Sequence, residues 1–116
     1  ERICRERETA GYYADLVRHQ YVYKGREIEK ECASQLSLRH CDMVGSFMPA
    51  SGDGIVRIAG SGIGAFALLF AMARKDLEVY ACESDLQKFS VARNCVLHPV
   101  NLHYVKELSG EADFVL

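Results

Sequence analysis

The sequence predicts an α/β fold in which short apolar strands alternate with helices behind an N-terminal helical segment. Residues 1 to about 41 contain no proline and are rich in Glu, Arg, Lys, Leu and Ala, which favours helices. A loop with proline and glycine follows at 49–54, and beyond it short apolar runs recur between longer, more polar stretches. Strands that alternate with helices in this way lie side by side in a parallel sheet.

Composition places the chain among ordinary globular domains. Its 116 residues suit one domain, and a net charge of −2 gives no reason to expect a nucleic-acid partner. No apolar run approaches the roughly 20 residues that span a bilayer, and no signal-peptide pattern opens the chain. The five cysteines form no C-x-x-C pair, so we expect reduced thiols in a cytoplasmic protein, without a disulfide framework or a metal site.

The N-terminal segment is predicted as two helices separated by Gly25. In the second helix an apolar residue recurs every fourth position, at Ile28, Cys32 and Leu36, which forms one buried stripe. We assign 1–50 to this helical lead-in and 51–116 to the α/β part. The chain starts at Glu1 and ends within an apolar run, so we expect it to be a piece of a longer protein.

The second part is predicted as four strands and two helices. Ser84 and Gln87 have the spacing of a capping box at the start of the second of these helices, and His98-Pro99 ends it. The expected strands are 55–59, 77–82, 102–105 and 112–116, and the expected helices are 63–74 and 84–96.

The segment "GSGIGA" at 60–65 is the strongest functional signal. It follows the first strand and opens a helix, at the edge of a parallel sheet where ligands bind. Gly60 would permit the tight turn, Gly62 would let a ligand approach the main chain, and Gly64 would allow either close packing or a second approach. The helix N-terminus offers unpaired N–H groups and partial positive charge.

A carboxylate after the second strand indicates what the ligand contains. Glu83 is placed to accept hydrogen bonds from the hydroxyls of a ribose. Asp85 competes for this role, although an acid in a first helical turn is explained by the helix dipole alone. The glycine spacing fits both a dinucleotide such as NAD and S-adenosylmethionine, and it does not separate them.

The longer stretch "VRIAGSGIGAFALLFAMARKDLEVYACESDLQKFSVARNCV" resembles class I S-adenosylmethionine-dependent methyltransferases. The resemblance covers about 54–116, and "ESDLQKFSVARNC" is its most specific part. It implies a Rossmann-like sheet of about four strands in the order 3-2-1-4, with S-adenosylmethionine as cofactor. It also implies cofactor-binding residues, namely Gly60, Ser61, Gly62 and Gly64 on the methionine side, Glu83 at the ribose, and Ser84 and Glu107 near the adenine.

The sequence also departs from that family. Many members carry an acid two residues before the first glycine, where this chain has Ile58. The family's sheet has seven strands, so a chain that stops in the fourth would lack most of the acceptor site. The four histidines (His19, His40, His98 and His103) are scattered, and we assign no catalytic residue.

The stretch "YVYKGREIE" at 21–29 carries a second resemblance, to the lead-in of a methyltransferase-like domain in large bacterial proteins described as glycerol acyltransferases. Three functions follow as hypotheses. The chain is the cofactor-binding part of a methyltransferase for a small-molecule or lipid-linked acceptor, an inactive accessory module of a glycerol acyltransferase, or the NAD-binding domain of an oxidoreductase. The expected partners are that acceptor and the rest of the parent chain, and an exposed fourth strand would also allow dimerisation.

Overall fold

A computed structural model describes residues 2–48, 54–106 and 114–115 of the chain. Within these ranges the helices are α1 (Arg2–His19), α2 (Arg26–Gln35), α3 (Leu38–Ser46), α4 (Ala65–Ala73) and α5 (Leu86–Arg93). The strands are β1 (Ile55–Ala59), β2 (Glu78–Cys82), β3 (Leu102–Tyr104) and β4 (Phe114–Val115).

The described core of the sheet consists of three parallel strands, with β2 between β3 and β1. Ala59 pairs with Cys82 at the carboxyl ends of β1 and β2, and Ala81 pairs with Tyr104. The two residues of β4 pair in parallel with the other side of β1. The predicted α/β class is therefore confirmed, whereas the predicted fourth strand is described only at 114–115.

One face of the sheet is buried beneath the helices. Val56 and Ile58 of β1 and Val79 and Ala81 of β2 are fully buried, and the residues between them in the strands are more exposed. Every residue from Ala65 to Ala71 of α4 is also buried, so this apolar helix lies in the middle of the core. The N-terminal helices contribute Ala10, Val17 and Cys41, among others, to the same hydrophobic cluster, so both parts of the chain share one core.

The N-terminal segment forms three helices instead of the predicted two. Gly25 separates α1 from α2 as predicted, with a φ of 118° that few other residues adopt. A second break follows at Leu36, and Ser37 then caps α3 by accepting a hydrogen bond from the His40 amide. The prediction missed this break because Ser37 lies within a stretch of good helix formers.

Two helix starts differ from the prediction. Helix α4 starts at Ala65, because the preceding turn extends to Gly64. Helix α5 is capped by Asp85, whose carboxylate accepts from two amides of the first turn, so the predicted capping box of Ser84 and Gln87 is wrong. The predicted loop at 49–54 lies outside the described residues except for Gly54, and so does the boundary assigned at 50–51.

None of the described helices combines the length and the apolar character needed to cross a membrane.

Candidate functional site

The glycine turn lies at the carboxyl edge of the sheet, between β1 and α4. Gly60, Gly62 and Gly64 have φ angles of 64°, 60° and 84°, so all three adopt the left-handed conformation that favours glycine. Ser61 ties the turn to β2, since both its amide and its hydroxyl donate to the Cys82 carbonyl, at 3.0 and 3.2 Å. The turn is therefore held rigidly against the end of the neighbouring strand.

Glu83 and the glycine turn meet at this edge. One carboxylate oxygen of Glu83 accepts from the Gly62 amide at 2.7 Å, and the other accepts from the Asp85 amide at 2.9 Å. The half-buried carboxylate thus links the turn after β1 to the turn after β2. An ionised carboxylate has about four lone-pair positions, so Glu83 keeps capacity for ribose hydroxyls beyond these two bonds.

Side chains of α2 cover the same turn. Glu31 accepts a hydrogen bond from the Ile63 amide at 3.0 Å, and Gln35 accepts one from the Phe66 amide at 3.0 Å. Gln35 also donates to the Ser61 carbonyl at 3.3 Å. A Cβ atom at Gly62 would collide with the Glu31 carboxylate and would lie 2.7 Å from the Gln35 amide nitrogen.

This arrangement changes the explanation for Gly62. We predicted that its missing side chain makes room for a ligand, but in the structure the room is taken by Glu31 and Gln35. The amides of Gly62, Ile63 and Phe66, which an anion at this helix start could use, are already bonded to side-chain oxygens of the protein. A ligand could therefore contact the Gly62 main chain from this side only after these two side chains had moved.

Gly64 has a packing role. A Cβ atom there would lie 2.7 Å from the Cβ of Ala92 in α5 and 3.2 Å from the hydroxyl of Tyr104 in β3. Of the two roles that the sequence left open for Gly64, close packing is the one observed. Because Ala92 has no rotatable side-chain bond, any larger residue at either position would push α5 away from the turn.

Acidic groups dominate the surroundings of the turn. Lys88 of α5 pairs with Glu31 at 3.2 Å, and hydrogen bonding to Glu31 raises the pKa of the lysine, with smaller contributions from Asp85 and Glu83. Among the described residues, Lys88 therefore interacts with three carboxylates beside the turn.

The other predicted residues are placed as follows. Ser61 is buried, with its hydroxyl directed to Cys82, and Ser84 is exposed between Glu83 and Asp85. Glu107 lies outside the described residues. Ile58 is completely buried on the core face of β1, so the acid found there in many methyltransferases has no counterpart at this position.

Glu31, Gln35 and Lys88 were missed by the sequence reasoning. Glu31 and Gln35 are four residues apart, and each directly precedes a member of the apolar stripe formed by Ile28, Cys32 and Leu36. A polar pair with this spacing lies at the border of the buried face of a helix. That pattern predicts contact with another element, but it does not say which one.

A groove of about 410 Å³ lies at the opposite, amino-terminal edge of the sheet. Its walls include Met72, Leu97 and Val100. Asn101 also lines the groove, but its buried side-chain amide already donates to three main-chain carbonyls. We place the candidate site at the glycine turn instead, because main-chain donors and carboxylates converge there. Among the described residues, no group of three or more His, Cys, Asp or Glu side chains is arranged to hold a metal ion.

His40 and His103 are engaged in contacts within the fold. His40 packs edge-on against Phe66 at 4.9 Å and hydrogen-bonds Ser37, and burial, helped by the Arg39 cation, lowers its pKa. His103 stacks on Tyr80 and pairs with Glu78 at 2.7 Å.

Comparison of the chain with protein-family models, with curated proteins and with solved structures finds no match.

Proposed function

We propose that the glycine turn and Glu83 form the adenosyl-binding site of a methyltransferase-like domain whose cofactor is S-adenosylmethionine. One observation carries the proposal, namely the 2.7 Å hydrogen bond between the Gly62 amide and the Glu83 carboxylate at the carboxyl edge of a parallel sheet. Ligands of such sheets bind at this edge, with ribose hydroxyls on the acid that follows the second strand. In this proposal 114–115 belong to a full fourth strand of a sheet with the family order 3-2-1-4.

The residues fit the two halves of the cofactor differently. In this proposal Glu83 accepts from the ribose hydroxyls, and Ser84, its exposed neighbour, lies near the adenine. On the methionine side Glu31 and Gln35 stand against the turn and would have to move. The bound cofactor supplies an electrophilic methyl group, and this chain contributes the positioning of its adenosyl end.

The charge of the site favours S-adenosylmethionine over NAD. S-adenosylmethionine carries a sulfonium, an ammonium and one carboxylate, so its net charge is positive, whereas the pyrophosphate of NAD is doubly negative. Among the described residues, Glu31, Glu83 and Asp85 all lie close enough to Lys88 to raise its pKa. Glu83 and Asp85 would repel a doubly negative pyrophosphate, and they would attract a cationic ligand.

A second candidate is an inactive methyltransferase-like accessory module of a glycerol acyltransferase. The observation that favours it is the set of bonds from Glu31 and Gln35 to the amides of Ile63 and Phe66, which satisfies donors that an active site would keep for its ligand. The buried Ile58 in place of an acid points the same way. Only the first candidate, the active methyltransferase, has a methyl acceptor, which we propose to be a small molecule or a lipid-linked group.

Thermal unfolding with S-adenosylhomocysteine or NAD tests the proposal, because a ligand that binds only the folded state raises the melting temperature. We expect S-adenosylhomocysteine to raise it and NAD to leave it unchanged. The variant Glu83→Gln should lose about 1–3 kcal/mol of binding free energy, and Glu27→Gln, a change at an exposed acid of α2, should bind as wild type does. Stabilisation by NAD alone would identify a dinucleotide site, and a Glu83→Gln variant that binds normally would remove Glu83 from the site.

A further inference from the structure

We infer that α2 is a displaceable cover of the glycine turn, and that the ligand must carry an acid group able to take the place of the Glu31 carboxylate. The inference rests on the proposed function and extends it to the control of access. Its basis is the pair Glu31 and Gln35, which projects from one helix onto the start of another.

The contacts of Glu31 are those that a ligand carboxylate would make. One oxygen accepts from the Ile63 amide at 3.0 Å, and the other lies 3.2 Å from the Lys88 ammonium. A main-chain N–H near a helix N-terminus together with a lysine is a typical environment for a carboxylate or a phosphate. Glu31 therefore occupies an anion position, and an incoming acid can exchange with it at little net cost.

Helix α2 is held less firmly than its neighbours. Cys32 is the one fully buried residue within α2, whereas α1 buries Ala10, Ala14 and Val17. The helix begins directly after Gly25, at φ 118°, which makes the connection to α1 a natural hinge. On the far side of this hinge Tyr21 is buried, and its hydroxyl donates to the Ile63 carbonyl at 2.8 Å. The turn therefore stays anchored when α2 moves.

The cover also selects among ligands. Withdrawal of Glu31 leaves the Ile63 amide and Lys88 without their acceptor, and only a ligand with its own acid group restores both contacts. S-adenosylhomocysteine has the amino-acid carboxylate needed for this exchange. 5′-Methylthioadenosine has the same adenosine and thioether but no carboxylate, so it would bind beside Glu31 without displacing it.

Calorimetric titration of these two ligands into wild type, Glu31→Ala and Glu27→Ala tests the inference. Glu27 is exposed on the same helix, so its replacement removes an equal charge without touching the turn. We expect S-adenosylhomocysteine to bind Glu31→Ala about tenfold more tightly than wild type, since one charged hydrogen bond no longer competes. The affinity of 5′-methylthioadenosine should change by less than about twofold, and Glu27→Ala should match wild type.

A second variant keeps the test valid if Glu31→Ala fails to fold. Glu31→Gln keeps an oxygen for the Ile63 amide and loses the ion pair with Lys88, so it should show a smaller gain in the same direction. Equal or weaker binding of S-adenosylhomocysteine by both variants would overturn the cover while leaving the proposed function intact. Failure of both ligands to bind any of the four proteins would overturn the proposed function and the cover with it.

Discussion

Replacement of Gly62 by alanine tests how tightly α2 is coupled to the turn. The new Cβ would collide with the Glu31 carboxylate and would lie 2.7 Å from the Gln35 amide nitrogen. Both atoms are at the ends of flexible side chains, so they can rotate away. The cost is therefore the loss of their hydrogen bonds to the turn together with the strain of the main chain.

The magnitude follows from these two contributions. An alanine at φ 60° costs about 1–2 kcal/mol relative to glycine. The rotated side chains give up their bonds to the Ile63 amide and the Ser61 carbonyl, at about 0.5–1.5 kcal/mol each. We expect Gly62→Ala to lower the free energy of unfolding by about 2–5 kcal/mol in total.

Urea unfolding followed by circular dichroism measures this change, and a double-mutant cycle isolates its origin. In a Glu31→Ala/Gln35→Ala background, Gly62→Ala should cost only the strain of about 1–2 kcal/mol. Gly64→Ala is the matched control, because its Cβ would meet the Cβ of Ala92 and its cost should be the same in both backgrounds. A cost for Gly62→Ala that does not fall in the double variant would refute the coupling.

Three further predictions concern stability. Asn101→Ala should cost about 2–4 kcal/mol in urea unfolding, because the buried side-chain amide donates to three main-chain carbonyls at 2.9 to 3.2 Å, and of these the Arg74 carbonyl would keep a donor in the Leu77 amide. A loss below about 0.5 kcal/mol would contradict this role. Asp85→Ala should cost about 1 kcal/mol as the loss of an N-cap, and Ser84→Ala should cost only a few tenths, whereas the reverse order would restore Ser84 as the cap. Burial lowers the pKa of His40 in the folded state. The stability that the neutral imidazole contributes is therefore fully present above the unfolded-state pKa of about 6.5, and it is lost as the pH falls from there through the lower folded-state pKa. His40→Gln should therefore flatten the decline in melting temperature between about pH 7 and 5, and an unchanged slope would show that other groups cause it.

The alternation of apolar runs predicted both ends of β1 correctly and placed the start of β2 one residue too early. These strands are short, apolar and bounded by turn residues, so local pattern decides them. Pattern was less informative at helix starts. Ser84 and Asp85 are both good capping residues, and the Glu83 carboxylate, by accepting from the Asp85 amide, helps to fix the turn in which Asp85 becomes the cap.

The sequence by itself determined that a glycine turn and the carboxylate of Glu83 meet at one edge of the molecule. Parallel strands end at the same edge, so residues that follow β1 and β2 become neighbours whatever the rest of the chain does. Only the tertiary structure decided that α2 lies across this turn. The contact of Glu31 with Ile63 joins residues 32 positions apart, and it depends on how α1, α2 and α3 pack around α4, which the periodicity of any single helix does not encode.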